Sequence, residues 1–168
     1  MGEQKYALGE HQGRIPMSEE ELAKAPKHYM EYPELRERYL EMVRRTVRKY
    51  ARDERIVCWN IYNEPGITIG KRSMELLRVL FATVRAEDPI QPLTADIWRG
   101  VKNGDIRSEE EKLALALSDV ISFHSYQSYE RLVAEIRFHQ KTNRPLFLTE
   151  WLHRINHNTV QPQQVWML

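Results

Sequence analysis

Two hydrophobic periods alternate along most of this chain, and that alternation restricts the fold more than any other feature. From Pro33 onward, Leu35, Tyr39, Met42, Val43, Val47 and Tyr50 recur at helical spacing. Pro33 suits the first turn of a helix. Glu34, Glu37 and Glu41 fall in its first half and Arg44, Arg45, Arg48, Lys49 and Arg52 in its second, as the helix dipole favours. The basic cluster reads as a solvated helix end. Next comes Ile56-Val57-Cys58-Trp59-Asn60-Ile61, short, apolar and β-branched like a buried parallel strand. The pattern then repeats. Helices are expected over residues 72–87 (Met74, Leu77, Phe81 and Val84 inward), 109–117 and 129–141, and strands over 92–95, 119–124 and 145–149. A partial helix is expected in the last ten residues. Such alternation implies an α/β fold of about four parallel strands joined by right-handed helical crossovers.

A chain of 168 residues can bury one core, so one domain spanning 1–168 is expected. Its apolar fraction of 42% and charged fraction of 29% are those of a globular protein, and no stretch is apolar enough to span a bilayer. A formal net charge of +1 provides no field to gather nucleic acid or an acidic membrane, so neither is expected as a partner. The single cysteine, Cys58, excludes an internal disulfide and reads as a small buried hydrophobe. Residues 1–30 are polar, with Gly2, Gly9, Gly13, Pro16 and Pro26, and read as a loop containing a helical turn at Ser18–Lys24. The chain start lacks the apolar core of a signal peptide, and localisation stays unassigned.

In parallel α/β folds the working residues gather at the C-terminal ends of the strands. Here those ends carry Asn63-Glu64-Pro65, Asp96 with Trp98, His124 with Tyr126, and Glu150-Trp151. Two carboxylates on one rim suit cleavage of a glycosidic bond. One must protonate the leaving oxygen while the other attacks the anomeric carbon. Glu64 and Glu150 are far apart in sequence, so only a fold that places both strand ends on one rim can bring them together. No glycine-rich phosphate loop follows any strand, which argues against a nucleotide site.

The strings WNIYNEP (59–65), FHSY (123–126) and FLTEW (147–151) resemble the fourth, sixth and seventh strand ends of the clan A glycoside hydrolases. Family 5, the cellulase and mannanase family, is the closest pattern, and family 2 is similar. The resemblance implies a (β/α)8 barrel and retaining hydrolysis of a β-glycosidic bond in an oligo- or polysaccharide, with no cofactor and no metal. It implies Glu64 as the acid/base, Glu150 as the nucleophile and Asn63 as the partner of the sugar 2-hydroxyl. Tyr126 would then donate to Glu150, and His124 would line the subsite near Glu64. Family 5 enzymes also carry an arginine and a histidine on earlier strands and a tryptophan after the eighth. A whole barrel takes about 250 residues. The chain therefore reads as a partial barrel, from the third helix to the start of the seventh, lacking the first three strands and the last. Its open sheet edges are expected to promote self-association.

Several residues keep two readings. Trp98 and Trp151 suit either packing or stacking against a sugar face, whereas Trp59 reads as core. His153 and His157 have the i, i+4 spacing of a helical metal pair, but they lie in an Asn-rich stretch that reads as a loop. Asp88-Pro89 and the segment 100–107 read as ordinary connections. A non-catalytic carbohydrate-binding remnant, or a barrel that works only with the rest of its chain, is the alternative function. An aldolase or lyase would want a strand-end lysine, and none is present.

Overall fold

The protein was analysed as a computed structural model, which describes residues 29–102 and 104–151. The expected turn at Ser18–Lys24, the final helix, and His153 and His157 all lie outside the described residues. In chain order the elements are α1 (Pro33–Tyr50), β1 (Trp59–Asn60), α2 (Ser73–Arg85, entered through a 3-10 turn at Gly70–Arg72), β2 (Leu93–Thr94), β3 (Val101–Lys102), β4 (Asp105–Ile106), α3 (Glu109–Leu117), β5 (Ile121–His124), α4 (Tyr129–Gln140) and β6 (Leu146–Glu150). This is a mixed α/β chain in which long helices alternate with short strands. Its strands form three two-stranded sheets: β1 with β2 and β5 with β6, both parallel, and β3 with β4, antiparallel.

Although short, the parallel pairs are joined. An isolated parallel bridge between Ile97 and Phe123 ties the chain after β2 to β5. Hydrogen bonds from Ile97 N to Ser122 O (3.0 Å) and from His124 N to Ile97 O (2.8 Å) complete the link. The order across the ladder is thus β1, β2, β5, β6, and their C-terminal ends share one rim.

Helix α1 has Pro33 at its start and Arg48 and Lys49 in its last turn. It buries Leu40 and Val47, while Met42, expected inward, is 44% exposed. The basic end of this helix is more than a solvated face. Arg48 pairs with Glu87 (2.7 Å) and Arg52 with Asp88 (2.5 Å), fastening α1 to the end of α2. Leu77, Phe81 and Val84 of α2 pack with Val47, Leu93 and Ala114 in one cluster. Ile97, Ile106, Ile121, Phe123 and Leu132 form a second cluster beneath β5 and α4.

Three expectations need correction. The run 56–61 pairs only at Trp59–Asn60, and Val57 is 70% exposed. Among the described residues β1 has a neighbour on one side only, while Trp59 and Ile61 pack against the core and Ile56 and Cys58 are half-buried. The segment 100–107 is not a plain connection, because it folds into the β3–β4 hairpin. Cys58 is half-buried rather than core, with burial first and the charge of Asp96 second pushing its thiol pKa up.

Candidate active site

The rim begins with the turn after β1. Ile61 N donates to Thr94 O (2.7 Å) and Asp96 N to Tyr62 O (3.2 Å), so the extended chain continues to the threshold of Asn63-Glu64. Glu64 then takes a left-handed backbone, φ 50°, which is costly for a residue with a side chain and is characteristic of functional sites. Gly66 follows at φ 93°. A Cβ there would press on Glu110 Cγ at 3.2 Å and Arg99 Nη2 at 3.4 Å, so the turn needs glycine.

Trp98 and Arg99 hold this turn from the neighbouring strand end. Trp98 Nε1 donates to Pro65 O (3.2 Å) and Arg99 Nη2 to Gly66 O (3.4 Å), and the guanidinium lies 4.8 Å from the Trp98 ring centre. Beneath them, Glu111 has no exposed surface, and its Oε1 accepts from both Trp98 N and Arg99 N, each at 2.7 Å. Glu111 is itself fixed by Ser108, the N-cap of α3, whose hydroxyl accepts from Glu111 N and donates to Glu111 Oε2.

On the other side, β6 carries an irregularity. Phe123 pairs with Leu148 but His124 pairs with Glu150, so Thr149 is an extra residue in the ladder. Such a bulge re-aims the side chains around it. Thr149 Oγ1 donates to Asp96 Oδ1 (3.0 Å), and Glu150 arrives beside His124.

His124 stands at the centre and is 3% exposed. Its Nδ1 lies 2.7 Å from Glu64 Oε1 and 3.6 Å from Glu150 Oε2, and its Nε2 faces Asp96 Oδ1 at 3.5 Å. Burial alone would lower the imidazole pKa. The hydrogen bonds to Asp96 and Glu64, with the charges of Asp96 and Glu150, outweigh it and raise the value to about 9. The raised value favours the protonated imidazole, which faces Glu64, Asp96 and Glu150. Asp96 has no exposed surface. Burial would raise its pKa, but hydrogen bonds from His124, Asn60 and Ser122 hold it below the ordinary value. Tyr126 donates to Glu150 Oε2 at 2.5 Å.

Glu64, His124 and Glu150 each offer a ligand atom, and these atoms lie within 4.8 Å of one another. That spacing would suit a divalent cation only if His124 presented a lone pair.

Of the residues singled out in the sequence, Glu64, His124, Tyr126 and Glu150 form one bonded cluster. Asn63 is exposed beside it, Trp151 is half-buried at the end of β6, and Trp98 is tied to the backbone after Glu64. Sequence reasoning placed Asp96 on the rim without giving it a role, and it missed Glu111 and Thr149. Ser108 and Glu111 do carry the three-residue spacing of a capping box, a signal that could have found the first. Nothing in the sequence announces the bulge. No protein-family model and no curated protein matches this chain.

Proposed function

We propose that the protein is a retaining β-glycosidase, with Glu64 as acid/base and Glu150 as nucleophile. The carrying observation is the separation of the two carboxylates, whose facing oxygens lie within 4.8 Å. Retaining enzymes hold the carboxyl groups about 5–5.5 Å apart, whereas inverting ones leave roughly 6.5–9.5 Å for a water. In the first step a Glu150 oxygen bonds to the anomeric carbon as the glycosidic C–O bond breaks and Glu64 gives its proton to the departing oxygen. In the second, Glu64 takes a proton from water, the water oxygen bonds to the anomeric carbon, and Glu150 leaves. Tyr126 orients Glu150. His124, bonded to Glu64 and facing Glu150, fixes their separation. Asn63 is assigned to the sugar 2-hydroxyl, and it is exposed.

The architecture proposed with this chemistry is a (β/α)8 barrel, to which the ladder β1, β2, β5, β6 contributes four adjacent strands. A second reading, a carbohydrate-binding remnant or an incomplete barrel needing further chain, is favoured by the unpaired side of β1 and by exposed Val57. Proton NMR of a panel of 4-nitrophenyl β-glycosides tests the choice. A first-formed β-anomer supports retention, an α-anomer overturns it, and no hydrolysis with binding retained supports the remnant.

A further inference from the structure

Beside the carboxylate pair lies a cavity of about 800 Å3, bounded by the β3–β4 hairpin, the rim and α4. It reaches the site directly, since His124 and Tyr126 line it. Its walls carry Arg99, Lys102, Arg107, Arg131, Arg137 and Lys141. Only Glu130 and Glu135 oppose them, six cations against two carboxyl groups in a chain whose net charge is +1. The local excess of positive charge is thus larger than that of the whole chain, and it lies on one concave surface, where a low-dielectric wall strengthens the field.

Two buried polar groups lie in that wall. Ser125 is 2% exposed and stands beside the Glu135 carboxyl. Glu135 is 8% exposed with Oε2 unpartnered, and burial pushes its pKa up, towards the neutral form that donates a hydrogen bond. Gly100, at φ 69°, lets the backbone close over this carboxyl, because a Cβ there would collide with Glu135 Oε1.

We propose that this cavity is the leaving-group side of the cleft and takes an anionic sugar, one bearing a carboxylate or a sulfate. The assignment of side rests on the glycosidase reading. The leaving-group side is chosen because Trp98 lines the cavity and bonds to the carbonyl of Pro65, the residue after the proposed acid. Arg107 and Arg137 are exposed and carry guanidinium forks suited to carboxylate or sulfate.

Calorimetric titration of the 168-residue chain tests this with three tetrasaccharides: neutral, glucuronate-bearing and sulfated. At low ionic strength at least one anionic sugar should bind about tenfold more tightly than the neutral one, with an advantage that shrinks as salt rises. The two anionic arms tell carboxylate from sulfate. The double variant Arg107→Gln, Arg137→Gln should lose the preference while keeping its neutral-sugar affinity and melting temperature. Equal affinity for all three sugars, or a preference that survives in the double variant, would overturn the proposal. Turnover of neutral aryl glycosides reports separately on Glu64 and Glu150. Turnover without anion preference sinks the cavity assignment alone. Anion preference without any turnover leaves an anionic-sugar site and removes its leaving-group role.

Discussion

The phenol of Tyr126 donates to Glu150 Oε2 at 2.5 Å, while the same oxygen lies 3.6 Å from His124 Nδ1. Glu150, the proposed nucleophile, therefore meets a phenol donor and an imidazole on the same oxygen. Burial, then the hydrogen bond and charge of Glu150, push the Tyr126 pKa up to about 12, so the donor persists across the working pH range. Hydrogen bonds to charged groups are worth about 1.5–3 kcal/mol. Tyr126→Phe should slow formation of the glycosyl-enzyme about ten- to a hundredfold, measured by pre-steady-state release of nitrophenol. A rate within twofold of wild type would remove Tyr126 from the machinery.

Glu64 matters most when the leaving group is poor. Glu64→Ala should cripple cleavage of natural glycosides while sparing intermediate formation from activated aryl glycosides. Azide should then restore turnover and give a β-configured glycosyl azide, because it needs no general base. Equal losses on both substrate types with no azide rescue would assign the acid elsewhere.

Glu111 holds Trp98 N and Arg99 N, and through the Trp98–Pro65 contact it supports the turn after Glu64, the proposed acid. Glu111→Ala strands two backbone N–H groups and should lower stability by about 3 kcal/mol. Glu111→Gln keeps an accepting oxygen and should recover more than half of that loss. Chemical denaturation of the two variants checks this, and equal stabilities would refute the role of the carboxylate oxygen.

Two buried histidines set opposite pH limits. His124 has its pKa raised to about 9, so its contribution is complete below the unfolded value near 6.5 and is lost as pH rises through about 9. His139, 1% exposed with Nδ1 unpartnered, has its pKa lowered to about 4 by burial and by the charge of Arg144. Its contribution is complete above about 6.5 and is lost as pH falls through about 4, a total of roughly 3 kcal/mol. His124→Asn should flatten the alkaline limb of the stability profile and His139→Phe the acid limb. Unchanged limbs in urea titrations across pH would contradict both.

Among the described residues β1 is paired on one side only, and Val57 just before it is 70% exposed. The 168-residue chain should self-associate, and Val57→Lys should reduce this in sedimentation velocity. A wild-type chain that stays monomeric at every concentration would contradict it.

The helices were the most legible elements because their buried faces repeat over many residues. The expected span 109–117 coincides with α3, and Tyr129 starts α4 as read. Strand lengths were read too generously, because a β-branched run such as Ile56–Cys58 looks alike whether or not a neighbour covers it. The hairpin was missed despite Asn103-Gly104, a strong hairpin-turn signal, because Lys102 and Asp105 beside it resemble loop residues. Strand ends with their glutamates could be read in order along the chain. The cluster they join could not: the Thr149 bulge, the left-handed Glu64 and the pairing of Asp96 with Asn60 and Thr149 arise only when strands meet.

The most direct test of the central assignment is covalent trapping of the nucleophile. A 2-deoxy-2-fluoro β-glycoside with a good leaving group should inactivate the proposed barrel. Its peptide 147–151, FLTEW, should then gain one fluoroglycosyl mass located on Glu150. Glu150→Gln should neither turn over substrate nor take the label. Labelling of any other residue, or a Glu150→Gln protein with near-normal turnover, would contradict the assignment.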